Sequence, residues 1–110
     1  MNADLQSSFR ALADPTRRDI LVRLSEREMT IGEVVECFDI TRAAVKKHLT
    51  VLEEGRLISV QTRGRTRLNR LEPMGLRRVA DWVGYFSQFW DQRLASLETA
   101  IEAEKGHSDE

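Results

Sequence analysis

The chain is poor in residues that build covalent or metal-held scaffolds. It has one cysteine, Cys37, among 110 residues. A lone thiol has no internal partner, which excludes a disulfide framework and fits a reducing compartment. There are only two histidines, His48 and His107. One cysteine without neighbouring imidazoles cannot complete a four-ligand zinc site. No cofactor and no metal are therefore expected. No apolar run reaches the roughly 18 residues of a membrane helix. The opening Met1-Asn2-Ala3-Asp4 lacks the basic-then-apolar signature of a secretory signal. A cytoplasmic protein without membrane association is the expectation. Catalytic groupings are missing too: there is no Ser/His/Asp set, phosphate loop or HExxH motif. Glu53 and Glu54 are adjacent at a helix end, where their side chains diverge. No catalytic residue is expected, and the chain does not read as an enzyme.

The apolar fraction is 41 %, enough for one modest domain. The sequence assigns residues 1–105 to that domain and 106–110 to a polar, disordered tail. Net charge is −1, which by itself points to no partner. The distribution does. Residues 41–70 hold eight basic and two acidic side chains, a net of +6, whereas residues 71–110 carry −4. A basic middle beside an acidic end is what a chain shows when one surface meets phosphate and another does not.

Apolar spacing then supplies the elements. Leu5, Phe9 and Leu12 mark a first helix. Asp14 before Pro15 is an N-cap followed by a favoured first helical residue, and Ile20, Leu21 and Leu24 stripe the second helix. Thr30 with Glu33 forms a capping box for a short helix ending near Cys37. Residues 38–40 read as a turn. Thr41 caps a further helix through Glu54, with Val45, Leu49 and Leu52 inward, and Gly55 reads as its left-handed stop. The period then changes to two around Arg63-Gly64-Arg65, as in a β-hairpin. From Pro73 one long helix is predicted, striped by Leu76, Val79, Val83, Phe86, Trp90, Leu94, Leu97 and Ile101. The fold class is mainly α with a small β-hairpin wing: four helices, two strands, and a fifth, long helix.

A short helix, a tight turn and a second helix followed by a basic hairpin form a winged helix-turn-helix. The second helix of such a motif offers its N-terminal residues to base edges in the major groove. Here these are Thr41, Arg42, Ala43, Ala44, Lys46, Lys47 and His48. The two alanines permit close approach, and Arg42 can pair with guanine in bidentate fashion. In the hairpin, Arg63, Arg65 and Arg67 suit phosphate contact or minor-groove entry. Double-stranded DNA is the expected partner. Two further readings stay open: a winged-helix module that binds protein, and an architectural DNA binder of weak specificity.

The run from Phe9 to Pro73 resembles the ArsR-type family of winged helix-turn-helix repressors. The resemblance lies in "ALADPTRRDIL" (11–21) and in "HLTVLEEGRLI" (48–58). It implies a sequence-specific transcriptional repressor, autoregulatory, bound as a homodimer to an inverted-repeat operator, with the interface built from the first and last helices. Lys46 stands where the family usually has Ser, which adds positive charge. Metal-sensing members carry a cysteine pair before the turn and acidic and histidine ligands on the last helix. This chain offers Cys37 alone and no histidine between Met74 and Lys105, so it resembles a non-metal branch. The aromatics Trp82, Tyr85, Phe86, Phe89 and Trp90 occupy more than one helix face. One face is expected to pack on the domain and another on a partner subunit. The residues expected at the dimer interface are Leu5, Phe9, Val83, Phe86, Trp90, Leu94, Leu97 and Ile101. No small-molecule effector is specified by the sequence.

Overall fold

The computed structural model of the protein describes residues 3–108. In order, the elements are α1 (Ala3–Leu12), α2 (Pro15–Glu26), α3 (Ile31–Cys37), α4 (Arg42–Glu54), β1 (Ile58–Arg63), β2 (Thr66–Leu71), α5 (Pro73–Gly84) and α6 (Ser87–Ser108). This is the expected mainly α, winged architecture, with one division more in the last helix. The chain separates into two compact units, residues 1–79 and 80–110.

In the first unit, α4 is the hub and packs against α1, α2, α3 and β1. Its Val45, Leu49 and Leu52 join Ile20, Leu21 and Leu24 of α2, Val34 of α3 and Leu57 and Ile58 in one buried cluster. The caps act as the sequence implies. Asp14 accepts the Arg17 N–H at 3.0 Å. Thr30 and Glu33 exchange both capping-box bonds, and Thr41 accepts the Ala44 N–H at 3.1 Å. Each cap satisfies an N–H that has no partner inside its helix.

The end of α4 differs from expectation. Gly55 has a right-handed backbone, φ −77; the left-handed residue is Arg56, at φ 58. The Arg56 N–H bonds to the Glu53 carbonyl and the Leu57 N–H to the Leu52 carbonyl. That is a Schellman arrangement with arginine where glycine is usual. Glycine is needed at 55 for a different reason. A Cβ there would come within 2.9 Å of the Ser7 carbonyl oxygen of α1, and the Ser8 hydroxyl donates to the Gly55 carbonyl at 2.7 Å.

The strands pair antiparallel from Ile58↔Leu71 to Arg63↔Thr66. Only Gly64 of the two turn residues has positive φ, 62, the pattern of a type II′ hairpin turn. A contact not expected from the sequence fastens the hairpin. The backbones of Met29 and Asn69 exchange hydrogen bonds of 3.0 and 2.7 Å, so a single antiparallel bridge ties the α2–α3 connector to β2.

The second unit is helical. The single long helix expected from Pro73 is interrupted after Gly84. The Phe86 N–H bonds to the Val83 carbonyl at 3.0 Å, three residues back, and α6 restarts at Ser87. Glycine is a weak helix former. The rings around the break lock together: Phe86 lies 5.1 Å from Trp82 and 5.0 Å from Tyr85, both edge-to-face. Helix α6 continues to Ser108, through the Gly106 at which the sequence places a disordered tail; residues 109–110 lie outside the described residues.

Candidate nucleic-acid interface

Because Val45, Leu49 and Leu52 anchor α4, its opposite face is exposed by helical geometry. Arg42, Ala43, Lys46 and Lys47 are exposed and Ala44 is half-buried. Thr50 shares this face, four residues after Lys46, and its hydroxyl donates to the Lys46 carbonyl at 3.0 Å. Sequence reasoning missed Thr50, although the steps 42, 46, 50 place it in line. The Arg42 guanidinium lies over Gly32 of α3, about where a larger side chain would meet it.

His48 is set apart from that row. It is half-buried, with Nδ1 3.3 Å from Arg17 Nη1 and 4.0 Å from Asp14 Oδ2. Arg17 also donates to the carbonyls of Ala11 and Arg10, so one guanidinium ties the end of α1 to α2 and α4. The backbone N–H of Arg17, joined by the nearby Arg17 guanidinium, holds the Asp14 carboxyl below its usual range. Glu33 is held low as well, first by the Arg27 side chain at 2.7 Å.

The three wing arginines, grouped together by the sequence, separate in the structure. The pairing register puts Thr62 opposite Arg67 and Val60 opposite Asn69 on one face of the hairpin. Gln61, Arg63 and Arg70 share the other face. Arg67 lines a groove with Arg42, Lys46 and Thr50 of α4 and with Val60 and Asn69. Arg63 instead faces Glu28, Nη2 to Oε2 3.4 Å, and Gln61. Arg65 follows Gly64 in the exposed turn. The groove between α4 and β2 thus gathers Arg42, Lys46 and Arg67, with Glu53 as its one acidic member.

The expected interface residues fall into two groups. Leu5 and Phe9 of α1 are half-buried. Val83, Trp90, Leu94, Leu97 and Ile101 are exposed, and Phe86 is half-buried among rings. Cys37 is half-buried, its Sγ 3.4 Å from the Glu33 carbonyl. Among the described residues, no group of three or more His, Cys, Asp or Glu is placed to hold a metal ion. Among them, too, no helix is long and apolar enough to cross a membrane.

Comparison with known proteins agrees with this geometry. Residues 12–61 match the family model described as a helix-turn-helix domain. The chain is 33 % identical over 97 residues to the HTH-type transcriptional regulator Rv2034 of Mycobacterium tuberculosis, covering 88 % of each. It is 31 % identical over 90 residues to the transcriptional repressor SdpR of Bacillus subtilis, covering 82 % of this chain and all of that protein. Among solved structures, an ArsR family transcriptional regulator superposes with TM-score 0.71 at 34 % identity, over 80 % of this chain and 91 % of the other. A homodimeric winged helix-turn-helix DNA-binding domain from Mycobacterium bovis shares the fold, with TM-score 0.63 at 19 % identity, over 77 % and 79 %.

Proposed function

The chain belongs to the ArsR family of helix-turn-helix transcriptional regulators, DNA-binding proteins rather than enzymes, and from that premise we propose that it is a homodimeric, autoregulatory repressor of the cytoplasm. The observation that carries this reading is the groove that brings Arg42 and Lys46 of α4 together with Arg67 of β2, three cations against the single carboxylate of Glu53. Arg42, with Ala43 and Ala44 beside it, enters the major groove and reads bases; Lys46, Lys47 and Thr50 reach further edges and phosphates. Arg65 and Arg67 hold the flanking backbone. His48 acts from behind, through Arg17 and Asp14, in keeping the helix seated.

The dimer forms through α1 and the apolar stripe of α6. A two-fold axis places two α4 helices in successive major grooves, roughly 34 Å apart, on an inverted repeat. The bound dimer excludes RNA polymerase from the promoter. The repressor name of a relative 31 % identical over its full length and the homodimer recorded for a protein of the same fold both support this reading.

The test is fluorescence anisotropy against the protein's own promoter fragment and a scrambled duplex over a salt series. A gap of about a thousandfold, with steep salt dependence, is the expected result. Equal, weak affinity for both would replace it with an architectural role. Absence of binding would leave the winged-helix protein-interaction module.

A further inference from the structure

We propose that Glu28 is a specificity-determining residue, holding Arg63 and Arg70 in an internal ion network that withholds their charge from indiscriminate phosphate binding. The inference rests on the wing lying against DNA, as set out above.

Glu28 immediately precedes Met29, whose backbone exchanges two hydrogen bonds with that of Asn69 in β2. That pairing fixes the carboxylate beside the hairpin. Its Oε2 is 3.4 Å from Arg63 Nη2 and its Oε1 is 3.9 Å from Arg70 Nε. Gln61 completes the network: its Oε1 accepts from Arg70 Nη1 at 3.0 Å and from Arg63 Nη2 at 3.4 Å. The register places Gln61, Arg63 and Arg70 on one hairpin face, away from the Arg67 face that borders α4. Two guanidinium groups thus share one carboxylate, and the wing presents two faces of different effective charge.

Non-specific binding is almost wholly phosphate electrostatics, and the protein can adopt many orientations in it. An extra free cation anywhere on the wing strengthens such complexes. On the operator, α4 in the groove sets the orientation, and only cations already facing phosphate add affinity. A carboxylate on the far face of the hairpin therefore weakens random binding more than operator binding. Exposed pairs of this length are weak and exchange readily, so the network tunes charge without blocking the wing.

The experiment measures the salt dependence of binding to promoter and scrambled duplexes for the wild type, Glu28→Gln, Glu28→Asp, Arg65→Ala, and the Arg63→Ala, Arg70→Ala double variant with and without Glu28→Gln, the last two being compared with each other. Glu28→Gln should tighten scrambled-duplex binding by about three- to tenfold at low salt, steepen its slope by about one unit, and change promoter binding less. Glu28→Asp, which keeps the charge, should retain the wild-type slope. Removing both arginines should abolish the Glu28→Gln gain. An unchanged slope in Glu28→Gln, or a gain that survives loss of both arginines, overturns the proposal. If Arg65→Ala also leaves the slope unchanged, the placement of the wing on DNA falls, and the role of Glu28 with it. If Arg65→Ala lowers the slope while Glu28→Gln does nothing, only the role of Glu28 is refuted.

Discussion

Val45, Leu49 and Leu52 of α4 stand at steps of four and three and are 0, 7 and 0 % exposed. Trp90, Leu94 and Leu97 of α6 stand at the same steps and are 54, 58 and 54 % exposed. The first set lies in the unit of residues 1–79, the second in residues 80–110. Equal periodicity thus has two outcomes, set by whether the chain supplies its own covering surface. A helix face covered by α1, α2, α3 and β1 can hold a recognition surface rigidly. A half-exposed apolar stripe is suited to a partner, because leaving it in water forgoes about 25 cal/mol per Å².

Four measurements press on that contrast. The largest effect is expected at Leu52, which is fully buried. Leu52→Ala leaves a cavity and should lower unfolding free energy by about 2–5 kcal/mol, read by denaturant melts with unchanged m-value. A loss below about 1 kcal/mol would mean the core is not as tightly filled as its burial indicates.

Leu94→Glu and Leu97→Glu probe the other side. Each should leave the fold of residues 1–79 intact by circular dichroism yet yield monomers by light scattering, with promoter affinity reduced about 100-fold or more. Surviving dimers would reassign the stripe.

Within the first unit, the α4 face and the wing should separate by readout. Arg42→Ala should cost about 1–3 kcal/mol of operator preference; Arg65→Ala should weaken all sequences alike and flatten the salt slope by about one unit. Identical behaviour would erase the division between base reading and phosphate holding.

The smallest effect concerns the Asp14 cap. Its carboxyl titrates below the usual range because the charged form accepts the Arg17 N–H. Stability from this group is therefore complete above the ordinary carboxylate range and is lost as pH falls below about 4. Asp14→Ala should cost about 1 kcal/mol at pH 7, whereas Asp14→Asn should keep most of the cap and flatten the acid limb of the stability profile. An acid limb unchanged in Asp14→Asn would assign it to other carboxylates.

Much of this molecule was legible residue by residue. Thr30, Thr41 and Asp14 cap where they should, because capping needs only a short polar side chain and a nearby N–H. The basic face of α4 followed from the inward stripe, since the two are geometric complements. The break at Gly84 was not legible. Phe86 and Trp90 are four residues apart, so the stripe steps across the turn without a change of period. Arg56 was hidden for a related reason: glycine at 55 signals a left-handed residue by habit, while here it makes room for α1. Arg63 and Arg67 looked alike as neighbours in a basic hairpin. Their different surroundings depend on Glu28 and α4, both distant in sequence.

For α1 to α4 and the hairpin, the sequence by itself determined which segments become helix or strand, about where they start, and which face of each turns inward. Those properties depend on interactions within a few residues: periodicity, caps and turn chemistry. Only the tertiary structure decided which surfaces are covered, which arginine meets a carboxylate and which borders α4, and why glycine occupies position 55. Those outcomes depend on atoms brought together from far along the chain, such as Met29 with Asn69 or Ser8 with Gly55, and no local pattern encodes them.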